Sequence, residues 1–212
     1  MKPELIARQS RLPSGWLGEI VARVMSIETV AVNRSAVQRL APAPGEEILE
    51  VGCGHGRTLC EVLTRGAARV AGVDPSGVMV RLATRRLERE IASGRAVVEL
   101  AEAASLPFAS GRFDAAFAVH VLYFWPHAER ELREIRRVLR PGGRLLLGFR
   151  PKAAESVAAL PASVYTLRTT EEVTASLAAA GFERAHVECE AGAAPPIAWA
   201  LAFAGEPPEP AA

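Results

Sequence analysis

The sequence predicts an α/β fold of the doubly wound type, with a mainly parallel sheet of seven strands whose last two form an antiparallel hairpin. Short apolar segments alternate with amphipathic helical segments from Glu47 onward, which is typical of a parallel sheet covered by helices. The segment from Phe113 to Val121 is almost wholly apolar, as expected for a strand buried on both faces. Only residues 191–196 separate the last two strands, whereas a parallel crossover needs about a dozen residues.

Seven short segments have the length of strands, and most of them have the apolar composition of buried strands. In chain order they are Ile48–Val51, Arg69–Val73, Val97–Leu100, Phe113–Val121, Arg144–Gly148, Glu183–Glu190 and Ile197–Ala204.

Helical segments fill the intervals between these strands. A short helix is expected from Thr58 to Leu63. Apolar residues then recur every four positions from Met79 to Ile91, which predicts one amphipathic helix. Gly94 stands where a glycine commonly ends a helix, because glycine adopts the left-handed conformation that the last turn requires.

The second half of the chain predicts two further helices. The apolar face of the first consists of Leu132, Ile135, Val138 and Leu139. The sequence Pro141-Gly142-Gly143 is expected to end it. The second opens with Thr169 and Glu172, which have the spacing of a capping box, and reaches Ala180.

The first forty residues predict a helical extension that precedes the core domain. One helical face consists of Leu17, Ile20, Val21 and Val24. A second helix is expected to begin near residues 33–35, and its inward positions are Ala36, Val37 and Leu40. Prolines and a glycine then break the helix at residues 41–45. We therefore expect an extension over residues 1–40, a core domain over residues 41–205 and a flexible tail over residues 206–212.

Composition and charge exclude several classes of protein. The chain has 25 Lys and Arg against 24 Asp and Glu, so no general attraction to nucleic acid or to an anionic membrane is expected. Three cysteines without paired spacing predict no metal site and a reducing compartment. No stretch approaches the roughly 18 apolar residues of a membrane span, and no signal peptide is recognised. These features predict a cytoplasmic location.

Alternating Arg and Glu over residues 129–140 predict a solvated helix face.

A glycine-rich turn, Gly52-Cys53-Gly54-His55-Gly56, lies between the first strand and a helix. Open α/β sheets bind ligands at such strand ends, and glycine permits the close approach that a Cβ would block. Glu50 stands near the end of the first strand. Asp74 ends the second strand, 22 residues beyond Gly52, where a carboxylate can accept hydrogen bonds from both hydroxyls of a ribose.

The spacing of the glycines distinguishes between two nucleoside ligands. A dinucleotide site of the usual kind has its third glycine at the position that Arg57 occupies, whereas the third glycine here is Gly56. Glu50 would also repel a pyrophosphate, but it suits an ammonium group. The motif therefore favours a nucleoside that carries an amino acid, and it disfavours the alternative of a nicotinamide oxidoreductase.

With these residues, the chain resembles the class I S-adenosylmethionine-dependent methyltransferases, in particular the single-domain group that acts on small molecules. The resemblance covers about residues 41–204 and rests on five motifs in order. They are Glu50–Gly56, Gly72–Ser76 with Met79, Ala101–Phe108, Phe113–Asp114 and Leu139–Gly143. The resemblance implies a Rossmann-like sheet, S-adenosyl-L-methionine as the cofactor and an N-terminal extension that acts as a lid.

The resemblance also implies a set of cofactor-binding residues. They are Glu50, Gly52, Cys53, Gly54, Gly56, Asp74, Pro75, Met79, Glu102, Ala103 and His120. The three glycines would shape the turn under the methionyl part of the cofactor. Glu50 would support the ammonium group, and Asp74 would hold the ribose hydroxyls. Cys53 is expected to fill space in the loop rather than to act as a nucleophile.

The remaining roles concern the adenine and the methyl-transfer end. Met79 would pack near the adenine, Glu102 would accept from its amino group, and the Ala103 N–H would donate to a ring nitrogen. The family usually has Asp where this chain has Glu102, so this contact departs from the pattern. His120, at the end of the fourth strand, would line the methyl-transfer end and is the candidate catalytic residue.

The implied activity is methyl transfer to a small-molecule acceptor by in-line displacement. A general base is needed only if the acceptor must lose a proton. Methylases of nucleic-acid or protein amino groups carry Asn/Asp-Pro-Pro-Tyr/Phe after the fourth strand. This chain has Ala118-Val119-His120-Val121 there, so a nucleic acid is not expected as a partner. The balanced charge and the lack of a long apolar stretch predict no membrane partner either. The sequence leaves the acceptor and the oligomeric state open, and it also leaves open a non-catalytic or regulatory cofactor-binding protein on the same fold.

Overall fold

The computed structural model describes residues 4–16, 18–20, 29–152, 160–190 and 196–205. Within these residues the strands are β1 (Glu47–Val51), β2 (Arg69–Asp74), β3 (Ala96–Leu100), β4 (Phe113–Val119), β5 (Leu139–Phe149), β6 (Glu183–Cys189) and β7 (Ala198–Phe203). The helices are α1 (Glu4–Arg11), α2 (Val30–Leu40), α3 (Arg57–Thr64), α4 (Gly77–Arg86), α5 (Glu88–Ala92), α6 (Ala128–Val138) and α7 (Thr170–Ala179), with a 3₁₀ turn at Leu122–Phe124.

The strands form one sheet in the order β3-β2-β1-β4-β5-β7-β6. Strands β1 to β5 pair in parallel, whereas β7 is antiparallel to both β5 and β6. This arrangement confirms the predicted doubly wound α/β fold and its final hairpin. The strand order reverses between β1 and β4, and sheets of this kind bind ligands at such a reversal.

Helices cover both faces of the sheet and create two hydrophobic cores. On β4, Phe117 belongs to the core that contains α2 and α3. Its neighbours Ala116 and Ala118 belong to the other core, which contains Leu132 and Ile135 of α6. Successive side chains of a strand point to opposite faces, so a continuous apolar strand can serve both cores.

Two predicted boundaries near β4 differ in the structure. β4 ends at Val119, because His120 has a φ of +60°, which is outside the extended region. β5 begins at Leu139 instead of Arg144, and its register with β4 shifts between the Phe113–Leu139 and Ala115–Arg144 pairs. The Pro-Gly-Gly sequence therefore forms an irregularity inside a strand rather than a boundary before it.

The structure confirms the predicted capping box but divides one of the predicted helices. The capping box is confirmed, because the Thr169 hydroxyl accepts from the Glu172 N–H and the Glu172 carboxylate accepts from the Thr169 N–H. The single helix predicted from Met79 to Ile91 is instead divided into α4 and α5 at Leu87. Leu87 is fully buried beneath the glycine turn, so tertiary packing interrupts a segment whose periodicity is continuous.

The predicted N-terminal extension divides into two parts. Its second helix, α2, begins at Val30 and buries Ala36, Val37 and Leu40 in the core that also holds α3. α1 instead contributes Ala7 to a small separate cluster with Val164 and Tyr165. α2 is thus part of the core packing, whereas α1 lies against the periphery.

The predicted first helical face is only partly covered by the described residues. Ile20 is helical and 48% exposed. Its predicted companions Leu17, Val21 and Val24 lie outside the described residues, as do residues 206–212 of the predicted tail.

Candidate functional site

A cavity of about 850 Å³ lies at the carboxyl ends of β1, β2 and β4. Its wall includes Glu50 of β1, Asp74 of β2, the loop Ala101–Ser105 after β3 and the segment Val119–Val121 at the end of β4. Residues between Arg8 and Pro13 complete the wall from the N-terminal side. The cavity is therefore at the point where the strand order reverses.

Ten of the eleven residues predicted to bind the cofactor line this cavity. They are Glu50, Gly52, Cys53, Gly54, Asp74, Pro75, Met79, Glu102, Ala103 and His120. Gly56 is not among the lining residues. A Cβ at Gly56 would lie 3.0 Å from the Ala83 Cβ and 3.2 Å from the Leu87 Cδ1, so this glycine lets the turn pack tightly against α4.

The other two glycines of the turn have positive φ angles but different surroundings. Gly52 has a φ of +78°, and a Cβ there would collide with the Val121 side chain. Gly54 has a φ of +53°, and a Cβ there would meet no protein atom within 4 Å. The backbone at Gly54 is therefore open to the cavity, and a ligand can approach it closely.

Asp74 organises the polar edge of the cavity. Its Oδ2 accepts from the Gly54 N–H at 2.9 Å and its Oδ1 accepts from the Ser76 N–H at 2.9 Å. Burial raises the pKa of Asp74 to about 6, although both hydrogen bonds oppose the rise. An ionised carboxylate has about four acceptor sites, so both oxygens keep capacity for a ligand.

Glu50 is a buried carboxylate whose hydrogen bonds are incomplete. It is 4% exposed and accepts a hydrogen bond from Thr58, but its Oε2 has no hydrogen-bond partner. Burial raises the pKa of Glu50 well above its ordinary value, and the negative charge of Asp74 adds to the rise. A cationic ligand group beside Oε2 would relieve both the burial penalty and the repulsion.

His120 places an imidazole at the end of β4 in a strained backbone conformation. The backbone N–H of His120 donates to the Gly148 carbonyl at 2.8 Å. This bond fixes the residue to β5 despite a φ of +60°. Its Nδ1 is buried without a hydrogen-bond partner. Burial lowers the pKa of His120 to about 4, and the charge of Arg150 adds to this effect. The ring is therefore neutral at pH 7, and its lowered pKa favours accepting a hydrogen bond over holding a proton.

Cys53 is 4% exposed, and burial raises the pKa of its thiol well above the ordinary value, with further repulsion from Asp74 and Glu50. A thiol held in this protonated form is a poor nucleophile. The role of Cys53 as a residue that fills the loop stays a prediction, which its burial supports.

Sequence reasoning missed one acidic residue of the cavity. The alternating charges predict a solvated position for Glu131, but this residue is 8% exposed and lines the cavity. It stands three residues after Ala128 and four before Ile135, both of which are buried on the inward face of α6. The helical spacing could have identified Glu131, but the alternation of charges concealed it.

Two other kinds of site are absent from the described residues. No group of three or more His, Cys, Asp or Glu side chains among them could hold a metal ion. Nor does any helix within the described part of the chain have the length and apolar character required to cross a membrane.

Comparison with known proteins shows similarity to methyltransferases. Residues 49–147 match the family of methyltransferase domains. An O-methyltransferase of Pyrenophora dematioidea is 32% identical over 121 residues, which are 57% of this chain and 45% of that protein. The 27-O-demethylrifamycin SV methyltransferase of Amycolatopsis mediterranei is 36% identical over 104 residues, 49% of this chain and 38% of that protein. The chain thus spans less than half the length of these two relatives.

A solved structure agrees in both fold and sequence. The crystal structure of the cyclase SpnF has a TM-score of 0.71 and 25% sequence identity, and the match covers 82% of this chain and 79% of that one. The family match extends from Leu49 in β1 to Leu147 in β5, and so includes all five motifs behind the sequence resemblance. The family match over residues 49–147 and the O-methyltransferase relatives support the predicted resemblance to the class I methyltransferases that use S-adenosyl-L-methionine.

Proposed function

We propose that this protein transfers the methyl group of S-adenosyl-L-methionine to a small-molecule acceptor by in-line displacement. Besides the family match, the observation that carries the proposal is the unpartnered Glu50 Oε2 in the cavity wall. A buried carboxylate oxygen without a partner is costly, and the ammonium group of the cofactor would provide one. A pyrophosphate at the same place would increase the repulsion instead.

Two carboxylates would hold the polar parts of the cofactor. Glu50 would receive the ammonium group, directly or through water. Asp74 would accept from the ribose hydroxyls with the lone pairs that Gly54 and Ser76 leave available. The open backbone at Gly54 gives the methionyl part room to approach the turn.

The adenine would lie along the loop that follows β3. Glu102 would accept from its amino group, and the Ala103 N–H would donate to a ring nitrogen. This loop is tied to the ribose site, because the Ala101 N–H donates to the Asp74 carbonyl at 3.2 Å. Contacts from Gly52, Cys53, Pro75 and Met79 would complete the cofactor site, and Gly56 would support it by packing against α4.

The methyl group arrives on a sulfonium, so the cofactor itself supplies the leaving group. The task of this chain is then to align the acceptor, and such positioning is worth about 7–11 kcal/mol in well-oriented reactions. His120 is neutral at pH 7 and unpartnered at Nδ1, so it would orient the acceptor by accepting a hydrogen bond, while its lowered pKa disfavours a role as general base. The segment from Arg8 to Pro13 would act as the lid that excludes water.

The proposed partner is a small molecule, and the net charge of +1 supports this choice over a nucleic acid. We also propose a cytoplasmic location, because Cys53, Cys60 and Cys189 are free thiols.

Methyl transfer by the full chain tests the proposal. Methyl-labelled S-adenosyl-L-methionine is incubated with a panel of phenols, alcohols, amines and carboxylic acids, and the labelled product and S-adenosyl-L-homocysteine are measured. We expect one class of acceptor to receive the label. Tight binding of S-adenosyl-L-homocysteine without any transfer would instead favour a non-catalytic cofactor-binding protein, and binding of NADH alone would favour an oxidoreductase.

A further inference from the structure

Glu131 is a buried acidic residue to which the cofactor gives no role. It lies on α6, is 8% exposed and lines the cavity, yet its Oε2 has no hydrogen-bond partner. Buried carboxylates in folded proteins are almost always paired or hydrogen-bonded. An unpaired one in a cavity wall therefore indicates a ligand group that the protein itself does not provide.

The charges around Glu131 separate it from the cofactor end. Glu50 and Asp74 act on each other, which places them in one electrostatic group. The charged groups that act on Glu131 are instead Arg130 and Arg168. Arg130 lies on α6, and Arg168 binds backbone carbonyls of the segment that joins His120 to α6.

Arg168 is already engaged with the segment after His120. Its guanidinium donates to the carbonyls of Trp125 at 2.7 Å and of Leu122 and Pro126 at 3.2 Å each. Arg168 thus holds this segment against the start of α6. It does not complete the hydrogen bonds of the Glu131 carboxylate, whose Oε2 remains unpaired.

Apolar and polar groups share this part of the wall. Phe124 and Trp125 line the cavity together with Glu131. Such a surface suits a molecule with an apolar body and one polar group. An ionised carboxylate accepts hydrogen bonds but donates none, so the polar group must be a donor.

We propose that Glu131 determines acceptor specificity by accepting a hydrogen bond from an O–H or N–H group of the methyl acceptor. The inference rests on the proposed function and names the class of acceptor, namely a compound with an apolar body and a hydroxyl or amine donor. An acceptor without a donor would leave the Glu131 carboxylate buried and unpaired, and sites of this kind reject such analogues strongly.

The test uses the full chain saturated with S-adenosyl-L-homocysteine and two pairs of probes. Benzyl alcohol is compared with benzyl methyl ether, which lacks the O–H donor. Benzylamine is compared with benzyltrimethylammonium, which keeps the charge but lacks the N–H donor. Dissociation constants are measured for the unmodified protein, for Glu131→Met and for Glu129→Met. Glu129 is the matched control, because it lies on the same helix with a side chain that is 53% exposed.

We expect the donor-bearing member of at least one pair to bind roughly tenfold or more tightly than its capped partner, the scale of a hydrogen bond to a charged group. The preference should disappear in Glu131→Met and remain in Glu129→Met. A preference in the alcohol pair identifies a hydroxyl acceptor, and one in the amine pair identifies an amine acceptor. Equal binding within both pairs, no binding of any probe, or a preference that survives Glu131→Met overturns the inference.

Two further measurements distinguish a role of Glu131 in acceptor binding from a role in cofactor binding or in stability. Glu131→Met should bind S-adenosyl-L-homocysteine as the unmodified protein does. If the unmodified protein does not bind it at all, the proposed function fails before any probe is added. The midpoint of thermal unfolding should rise in Glu131→Met, because an unpaired buried carboxylate is removed. A fall larger than in Glu129→Met would assign Glu131 a structural role and overturn the inference.

Discussion

The hydroxyl of Ser76 donates a hydrogen bond of 2.6 Å to the carbonyl oxygen of Pro13. The same hydroxyl accepts from the Met79 N–H at 3.3 Å and so caps α4, while the Ser76 N–H donates to Asp74. One serine therefore connects the N-terminal segment to the carboxylate that we propose for the ribose. This connection gives a physical route by which the segment from Arg8 to Pro13 can respond to the cofactor.

Replacing Ser76 by Ala should weaken both stability and cofactor binding. Loss of the cap alone costs about 0.5–2 kcal/mol. Thr169→Ala is the matched control, because Thr169 caps α7 and does not line the cavity. Calorimetric titration with S-adenosyl-L-homocysteine should show weaker binding only for Ser76→Ala. Equal affinities in the two variants would mean that the contact with Pro13 does not affect the cofactor.

Gly54→Val should abolish cofactor binding while the domain stays folded. The branched side chain would occupy the open space that a Cβ at Gly54 enters. The left-handed conformation adds a strain of about 1–2 kcal/mol. Gly94→Val provides the comparison, since Gly94 also has a positive φ of +71° and open space, but lies outside the cavity lining. If a folded Gly54→Val bound the cofactor normally, the turn would not be part of the site.

Acidification should weaken cofactor binding through the protonation of Asp74. With its pKa raised to about 6, the ionised fraction of Asp74 falls to roughly one tenth at pH 5. If the ribose binds the carboxylate, affinity should fall by up to about tenfold between pH 8 and pH 5. Protonation of Glu50 should also weaken cofactor binding on acidification, because the pKa of Glu50 is raised as well. Cofactor titrations of Asp74→Asn from pH 8 to pH 5 separate the contributions of Asp74 and Glu50, since only the contribution of Glu50 remains in this variant.

The same pKa shift reverses the trend for the ligand-free protein. The carboxyl of Asp74 holds its proton to higher pH in the folded state than in the unfolded one. Stability is therefore expected to fall as the pH rises from about 4 to about 6. Urea unfolding of the unmodified protein and of Asp74→Asn checks this point, and parallel pH profiles would contradict the burial of Asp74 as the cause.

The two parts of the N-terminal region should respond differently to mutation. Deleting residues 1–13 removes α1 and the contact of Pro13 with Ser76. We expect a folded core with weaker cofactor binding and no methyl transfer, because the lid is lost. Leu40→Ala in α2 should instead lower the free energy of unfolding by about 2–5 kcal/mol, since Leu40 is 1% exposed in the core.

Circular dichroism, cofactor titration and turnover of both proteins distinguish these roles. A truncated protein with full turnover would show that residues 1–13 are not a lid. A truncated protein that unfolds would assign α1 to the core despite its small separate cluster.

Local sequence patterns were sufficient for the sheet and for the glycine turn with Glu50 and Asp74, whereas the other predicted cavity residues came from the family resemblance. The hydrophobic period distinguished strands from helices, and the short link before β7 required an antiparallel hairpin. Because parallel strands deliver their carboxyl ends to one edge, the positions of Glu50 and Asp74 in their strands were enough to expect them near each other. The backbone of the sheet fixes the positions of residues that lie close to these strand ends.

The structure alone decided the features that depend on contacts between distant segments. Glu131 is buried on the same face of α6 as Ala128 and Ile135, whereas the alternating charges in the sequence predicted a solvated position. The division between α1 and α2 likewise depends on which surface each helix meets.

The sequence by itself determined the type and order of the strands, most of the helices, the glycine turn and the acidic residues at the strand ends. These follow from short-range physics, namely side-chain period, the torsional freedom of glycine and the length of each connection. The tertiary structure decided that His120 leaves the strand with a positive φ, that Gly56 packs against Ala83, and that Glu131 faces the cavity. Each of these depends on a neighbour far along the chain, whose proximity exists only when the sheet and its helices have assembled.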